Sequence, residues 1–145
     1  MLRGIFILFL SVVQSQNLRI YVYDASYGLA ESVAPVFLDK KIDAIYHTSI
    51  VMCGREYYFG LRGIVDNVPM DSGFGTPIEV LNFGTSQVDC GEFREWIDVM
   101  RKGRFKGKSY NIMLFNCNTF SNTAGKKCFF NFILLIKNFI FKFIL

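Results

Sequence analysis

Apolar and polar positions follow two rhythms through the first part of the chain. Leu18, Ile20 and Val22 alternate with Arg19, Tyr21 and Tyr23, the period of two of a half-buried strand. From Ala25 to Asp39 the spacing widens: Leu29, Val33, Val36 and Phe37 share one helical face. Asp24 or Ser26 can cap that helix, and Pro35 interrupts or bends its second turn. Ile45 to Met52 is a second strand, Cys53-Gly54-Arg55 a turn, and Glu56 to Phe59 the returning strand of a hairpin. Gly60 to Thr76 holds Gly60, Gly63, Gly73, Gly75 and Pro69 and reads as a loop. Loops of that length are uncommon unless functional or mobile, so it reads as a mobile substrate loop near the site, with an ordinary long connection as the alternative. No Gly-Lys-Ser/Thr opens a helix there, which excludes a phosphate-binding loop.

Pro77 to Phe83 is a fourth strand. Asp89-Cys90-Gly91-Glu92 fits a variant capping box with Asp89 as cap, followed by Phe93, Trp96, Ile97 and Met100 at helical spacing. Arg94, Glu95, Asp98 and Arg101 face outward. Arg101 to Lys108 is a basic turn, either a solvated loop or a contact for an acidic partner. Tyr110 to Phe115 leads into a last helix expected over Asn118 to Ala124. These elements make a small α+β domain without internal repeats.

At 145 residues the chain can bury one modest core. Its 52% hydrophobic content is concentrated at the ends. Arg3, the apolar run Ile5 to Val13 and then Gln14-Ser15-Gln16 have the form of a signal peptide, so residues 1–17 are expected as a leader. A buried first strand or helix is the alternative. Residues 126–145 are built almost wholly of Phe, Ile, Leu, Lys and Asn. Cys128 to Leu145 approaches the length of a membrane helix, with Lys137 and Lys142 interrupting it, so membrane association through this tail is one reading. The other is read-through: Phe, Ile, Lys and Asn have codons made only of A and T, and Gly125-Lys126-Lys127 can encode an intron start. Coding sequence is then expected to end at Gly125, leaving residues 18–125 as the domain. The four tail lysines supply the whole +4 net charge, because the other 12 basic residues balance 12 acidic ones. The charge is therefore no sign of a nucleic-acid partner.

Cys53, Cys90, Cys117 and Cys128 form no CxxC pair and are expected as free thiols, with neither a metal site nor a cofactor. Cys117 lies in Asn116-Cys117-Asn118, and His47 is the only histidine. A thiol hydrolase needs an imidazole to take and return the thiol proton, and the two need meet only in space. At the first turn of a helix, Cys117 would feel the positive end of the backbone dipole. The same N–H groups, with Asn116 or Asn118, could hold an oxyanion. Against this, a lone cysteine is commonly just a small buried hydrophobe. The context of the motif decides.

Val22-Tyr23-Asp24, Gly28-Leu29-Ala30, Tyr46-His47-Thr48-Ser49-Ile50-Val51, Glu56-Tyr57-Tyr58-Phe59-Gly60 and Asn116-Cys117-Asn118-Thr119-Phe120-Ser121-Asn122 occur in this order. The succession resembles the PPPDE family of desumoylating isopeptidases, closer to the first type than the second. The resemblance implies a permuted papain-like fold: an antiparallel sheet with packed helices, the histidine on a strand and the cysteine at a helix N-terminus. It implies a Cys–His dyad with Cys117 as nucleophile and His47 as general base and acid, and no third acid. It implies SUMO or ubiquitin-like conjugates as substrates, and cytoplasm or nucleus, where the leader-like start would imply secretion. Tyr46 departs from the tryptophan common beside the histidine. The match ends at Ala124, so the helix behind Cys117 is expected to be short and poorly supported. Alternatives are a noncatalytic or truncated inactive form that binds such modifiers, a thioesterase of the same fold, and a membrane-associated protein dominated by its apolar ends.

Overall fold

The computed structural model describes residues 16–27 and 45–130. The leader-like segment, nearly all of the helix expected over Ala25 to Asp39 and most of the apolar tail lie outside the described residues. Strands β1 (Asn17–Asp24), β2 (Tyr46–Met52), β3 (Arg55–Gly60), β4 (Gly63–Asn67) and β5 (Glu79–Thr85) form one sheet in the order β4-β3-β2-β1-β5. Each neighbouring pair is antiparallel. Helices α1 (Cys90–Lys102) and α2 (Cys117–Cys128) complete the α+β fold.

The alternation in β1 marks its two faces, but neither is open to water. Leu18, Ile20 and Val22 join the core under the helices, while Tyr21 and Tyr23 are buried on the other face with Val51 and Phe74. The hairpin turn forms as expected. Cys53 (φ 56°) and Gly54 (φ 75°) both take the left-handed conformation that a two-residue turn between twisted strands demands. Within the expected Gly60 to Thr76 loop the chain instead builds β4, with Phe59 opposite Ile64 and Gly60 opposite Gly63. Two glycines closing so tight a turn leave little sequence to announce the strand.

Asp89 caps α1, its Oδ1 accepting from the Glu92 N–H at 2.9 Å. Phe93 and Ile97 fix that helix on the core, and Phe120 and Ala124 do the same for α2. Full burial of one such phenylalanine contributes about 1.5–3 kcal/mol. The expectation of a short, poorly supported helix behind Cys117 is corrected. Gly125 is buried within α2, which runs on to a fully buried Cys128 whose Sγ lies 3.7 Å from Met52 Sδ. The reading of Cys53 and Cys90 as free thiols is also corrected: they form a disulfide, their Cα atoms 5.6 Å apart. The β2–β3 turn and the start of α1 are distant in sequence and adjacent in space, so spacing alone could not reveal the pair. No helix among the described residues is long and apolar enough to cross a membrane.

Candidate active site

The site begins where two strands part. β2 pairs with β3 from Met52↔Arg55 to Ile50↔Tyr57, whereas His47, Thr48 and Ser49 pair only with β1. Beside this splay lies a cavity of about 320 Å³, lined by residues from both sides of the sheet. His47, Tyr58 and Phe74 line it from one side, and Cys117, Asn116 and Asn118 from the start of α2. Sequence reasoning paired His47 with Cys117, and the fold brings both to this one cavity.

Strand alternation explains how. His47 and Thr48 point to opposite faces. Thr48 Oγ1 donates to Asn118 Oδ1 (2.8 Å) and shares a hydrogen bond with Ser121 Oγ (2.9 Å), tying β2 to the first turns of α2. His47, only 7% exposed, stacks on Phe74 with centroids 4.0 Å apart and meets the edge of Tyr58 at 5.4 Å. The cavity that His47 and Cys117 both line opens where β3 has left the edge of β2.

Asn116 positions Cys117. Its Oδ1 accepts from the Asn118 and Thr119 N–H groups, and the Thr119 hydroxyl takes the Asn116 N–H, closing a capping box. Asn116 Nδ2 donates to the Ile112 carbonyl at 2.8 Å. Its side chain is thus committed to structure, which leaves the backbone N–H of Cys117 and the Asn118 amide as candidate oxyanion donors.

Burial raises the Cys117 thiol above its ordinary range, opposed by the Thr48, Asn118 and Cys117 N–H groups and the Thr48 hydroxyl, all of which favour thiolate. Burial lowers His47 to about 4. The resting pair at neutral pH is therefore thiol and neutral imidazole. His47 Nε2 is buried with no hydrogen-bond partner among the described residues, the sulfur included. Such contacts commonly tighten only when substrate is bound.

Sequence reasoning missed Thr48, Phe74 and Glu56. Glu56 is fully buried on the His47 side. It accepts from the Tyr23 hydroxyl, the Ser49 hydroxyl and the Met70 N–H, each at 2.7 Å. Burial and the Glu56 carboxylate together push the Tyr23 phenol well up, keeping it a donor. By holding Met70, Glu56 anchors the segment that brings Phe74 onto the imidazole. A carboxylate directly ahead of the apolar run from Tyr57 to Phe59 was the available signal; Phe74, between glycines, gave none.

A second cavity, of about 450 Å³, lies by the disulfide, where Arg55 and Arg101 both pair with Asp66. It holds no nucleophile. Among the described residues no cluster of three or more His, Cys, Asp or Glu side chains is placed to hold a metal ion.

Residues 16–129 match the family model described as "PPPDE putative peptidase domain". The chain is 39% identical over 108 residues to proteins named desumoylating isopeptidase 1 from Xenopus laevis, Rattus norvegicus and Homo sapiens. The overlap takes in 74% of this chain and 64% of each relative, so the chain spans less than two thirds of their length.

Proposed function

The chain belongs to the PPPDE peptidase family, and from that premise we propose that it is a cysteine isopeptidase removing SUMO or a related ubiquitin-like modifier from lysine side chains. Cys117 is the nucleophile and His47 the general base and acid. His47 takes the Sγ proton as sulfur attacks the isopeptide carbonyl, and the oxyanion forms among the N–H groups at the start of α2. The imidazolium then protonates the departing lysine amine, leaving a thioester on Cys117. His47 next deprotonates a water that attacks the thioester, and returns that proton to sulfur. With the thiol raised and the imidazole lowered, proton transfer in the resting site runs uphill, so it is coupled to attack rather than completed before it.

One observation carries the reading: the only histidine of the sequence and a helix-start cysteine line a single cavity at a strand splay. The names of the relatives, desumoylating isopeptidase 1, support the choice of modifier. The test is incubation of the full chain with SUMO joined to a target lysine. Release of free SUMO is expected, with none from Cys117→Ala. A SUMO carrying a C-terminal electrophile should be captured at Cys117. Capture at Cys128, or cleavage surviving Cys117→Ala, overturns the assignment. Hydrolysis of a SUMO thioester without isopeptide cleavage would make the protein a thioesterase.

A further inference from the structure

Beside the cavity mouth the surface is apolar where nothing in the fold requires it. Ile112 is 66% exposed, Met113 and Leu114 81% each, and Leu61 80%. The 112–114 turn is not slack. Asn111 and Phe115 exchange two backbone hydrogen bonds of 2.9 Å, and Asn111 Oδ1 accepts from the Met113 and Leu114 N–H groups at 3.0 Å. Asn116 holds the Ile112 carbonyl, and Phe115 stacks on the buried Phe105 with centroids 4.9 Å apart. Three consecutive aliphatic side chains are therefore held out to solvent in one fixed arrangement.

The rim of this patch is basic. The Arg104 guanidinium lies 5.1 Å from the Phe115 ring centroid. A Cβ on Gly107 would fall 2.2 Å from the Leu61 carbonyl oxygen, so the segment carrying Lys106 and Lys108 runs directly against the Leu61–Arg62 turn. Arg62, Arg104, Lys106 and Lys108 are all exposed, and none forms an ion pair among the described residues. No Asp or Glu follows Asp98 in the chain to offset them.

We propose that this patch docks the folded body of the modifier, through an apolar surface rimmed by acidic side chains on that partner. The proposal rests on the isopeptidase reading. Leu61 and Ile112 also line the cavity holding Cys117, so the body from which a scissile tail extends must sit over these residues. Charge sets the remaining choice. A second copy placed patch to patch would bring eight cations together, whereas an acidic rim is drawn in.

The experiment titrates isotope-labelled SUMO with the full chain carrying Cys117→Ala, alone and combined with Met113→Ser/Leu114→Ser or Arg104→Glu/Lys106→Glu. Each double change should weaken binding about tenfold or more. Binding should also weaken with salt, and less steeply once Arg104 and Lys106 are reversed. In the active chain the same changes should act mainly through KM on SUMO conjugates. They should act far less on a short fluorogenic Gly-Gly peptide. Conjugate cleavage by the unmodified chain with binding shifted under twofold by both pairs overturns the docking proposal and leaves the isopeptidase reading intact. Binding through these residues without any cleavage does the reverse. Absence of SUMO binding overturns docking. So does a dimer dissociated by these changes, or adsorption to phosphatidylserine vesicles lost with them while SUMO binding persists.

Discussion

Helix α2 carries an unpaired buried cysteine at each end, and the two ends are chemically opposite. Cys117 is 5% exposed and Cys128 not at all, so burial alone hardly separates them. Their surroundings do. Cys117 has the N–H groups of an open helix start, the Thr48 hydroxyl and a cavity shared with His47. Cys128 lies against Met52 at the closed end of the helix, and burial raises it to about 11 with only Ser86 and Lys127 opposing. A buried thiol becomes a nucleophile candidate through donors and access, not through depth.

The sharpest break of this comparison is to exchange the losses. Cys117→Ala should abolish isopeptide cleavage, a fall of at least about 10³-fold, with little change in melting temperature. Cys128→Ala should leave cleavage within a few-fold and lower stability by about 1–2 kcal/mol, because it opens a small hole against Met52. Cleavage assays and thermal melts on both variants test this. A large activity loss in Cys128→Ala with native stability would mean that the closed end takes part in the chemistry.

His47 comes next. His47→Gln should reduce cleavage by about 10²–10⁴-fold. Its lowered pKa also fixes a sign for stability. A histidine near 4 in the fold and 6.5 when unfolded binds more protons in the unfolded chain between those values. The neutral form's contribution is therefore complete above 6.5 and is lost as pH falls through about 4, a loss of about 3 kcal/mol in the wild type. His47→Gln should flatten that part of the pH–stability curve. Phe74→Ala should move the imidazole titration back toward 6.5, read from its ring proton by NMR. An unmoved titration would mean that the stacked ring is not what keeps water away.

What the sequence made legible follows from which forces are local. Alternation in β1, the Cys53–Gly54 turn and the Asp89 cap are short-range patterns, and each marks a real element. β4 is hidden because its five residues follow directly on a turn closed by Gly60 and Gly63, and its partner β3 is what holds it. The long reach of α2 was misjudged because Gly125 looks like a stop, while the burial of Cys128 that carries the helix past it is a tertiary fact. The candidate site residues stood out by scarcity, one histidine and one Asn-Cys-Asn. Their supports did not: Thr48, Glu56 and Phe74 act through contacts between distant segments, which no spacing rule encodes.

Thr48 gives a smaller effect that sharpens the contrast between the ends. Thr48→Val keeps the shape and removes the hydroxyl that favours the Cys117 thiolate and links β2 to Asn118 and Ser121. Loss of a hydrogen bond to a charged group costs about 1.5–3 kcal/mol, so cleavage should fall about tenfold to a hundredfold. The alkylation rate of Cys117 at neutral pH should drop as its thiol rises further. Cys128 should react as slowly as before. If both cysteines slow alike, the change has acted on the fold as a whole.

The least effect is expected at the surface of the closed end. Lys127 bonds Glu92 and so ties the last turn of α2 to the first turn of α1. The side chains are 29% and 51% exposed, and a pair so open to water is worth under about 1 kcal/mol. Lys127→Met keeps the aliphatic stem and should lower the melting temperature slightly, more so at low salt. Cleavage should stay within about twofold, because the cap at Asn116 and the bonds from Thr48 hold the other end independently. An activity loss larger than the stability loss would show instead that α2 moves as one lever, with the anchor at Lys127 setting where the sulfur sits.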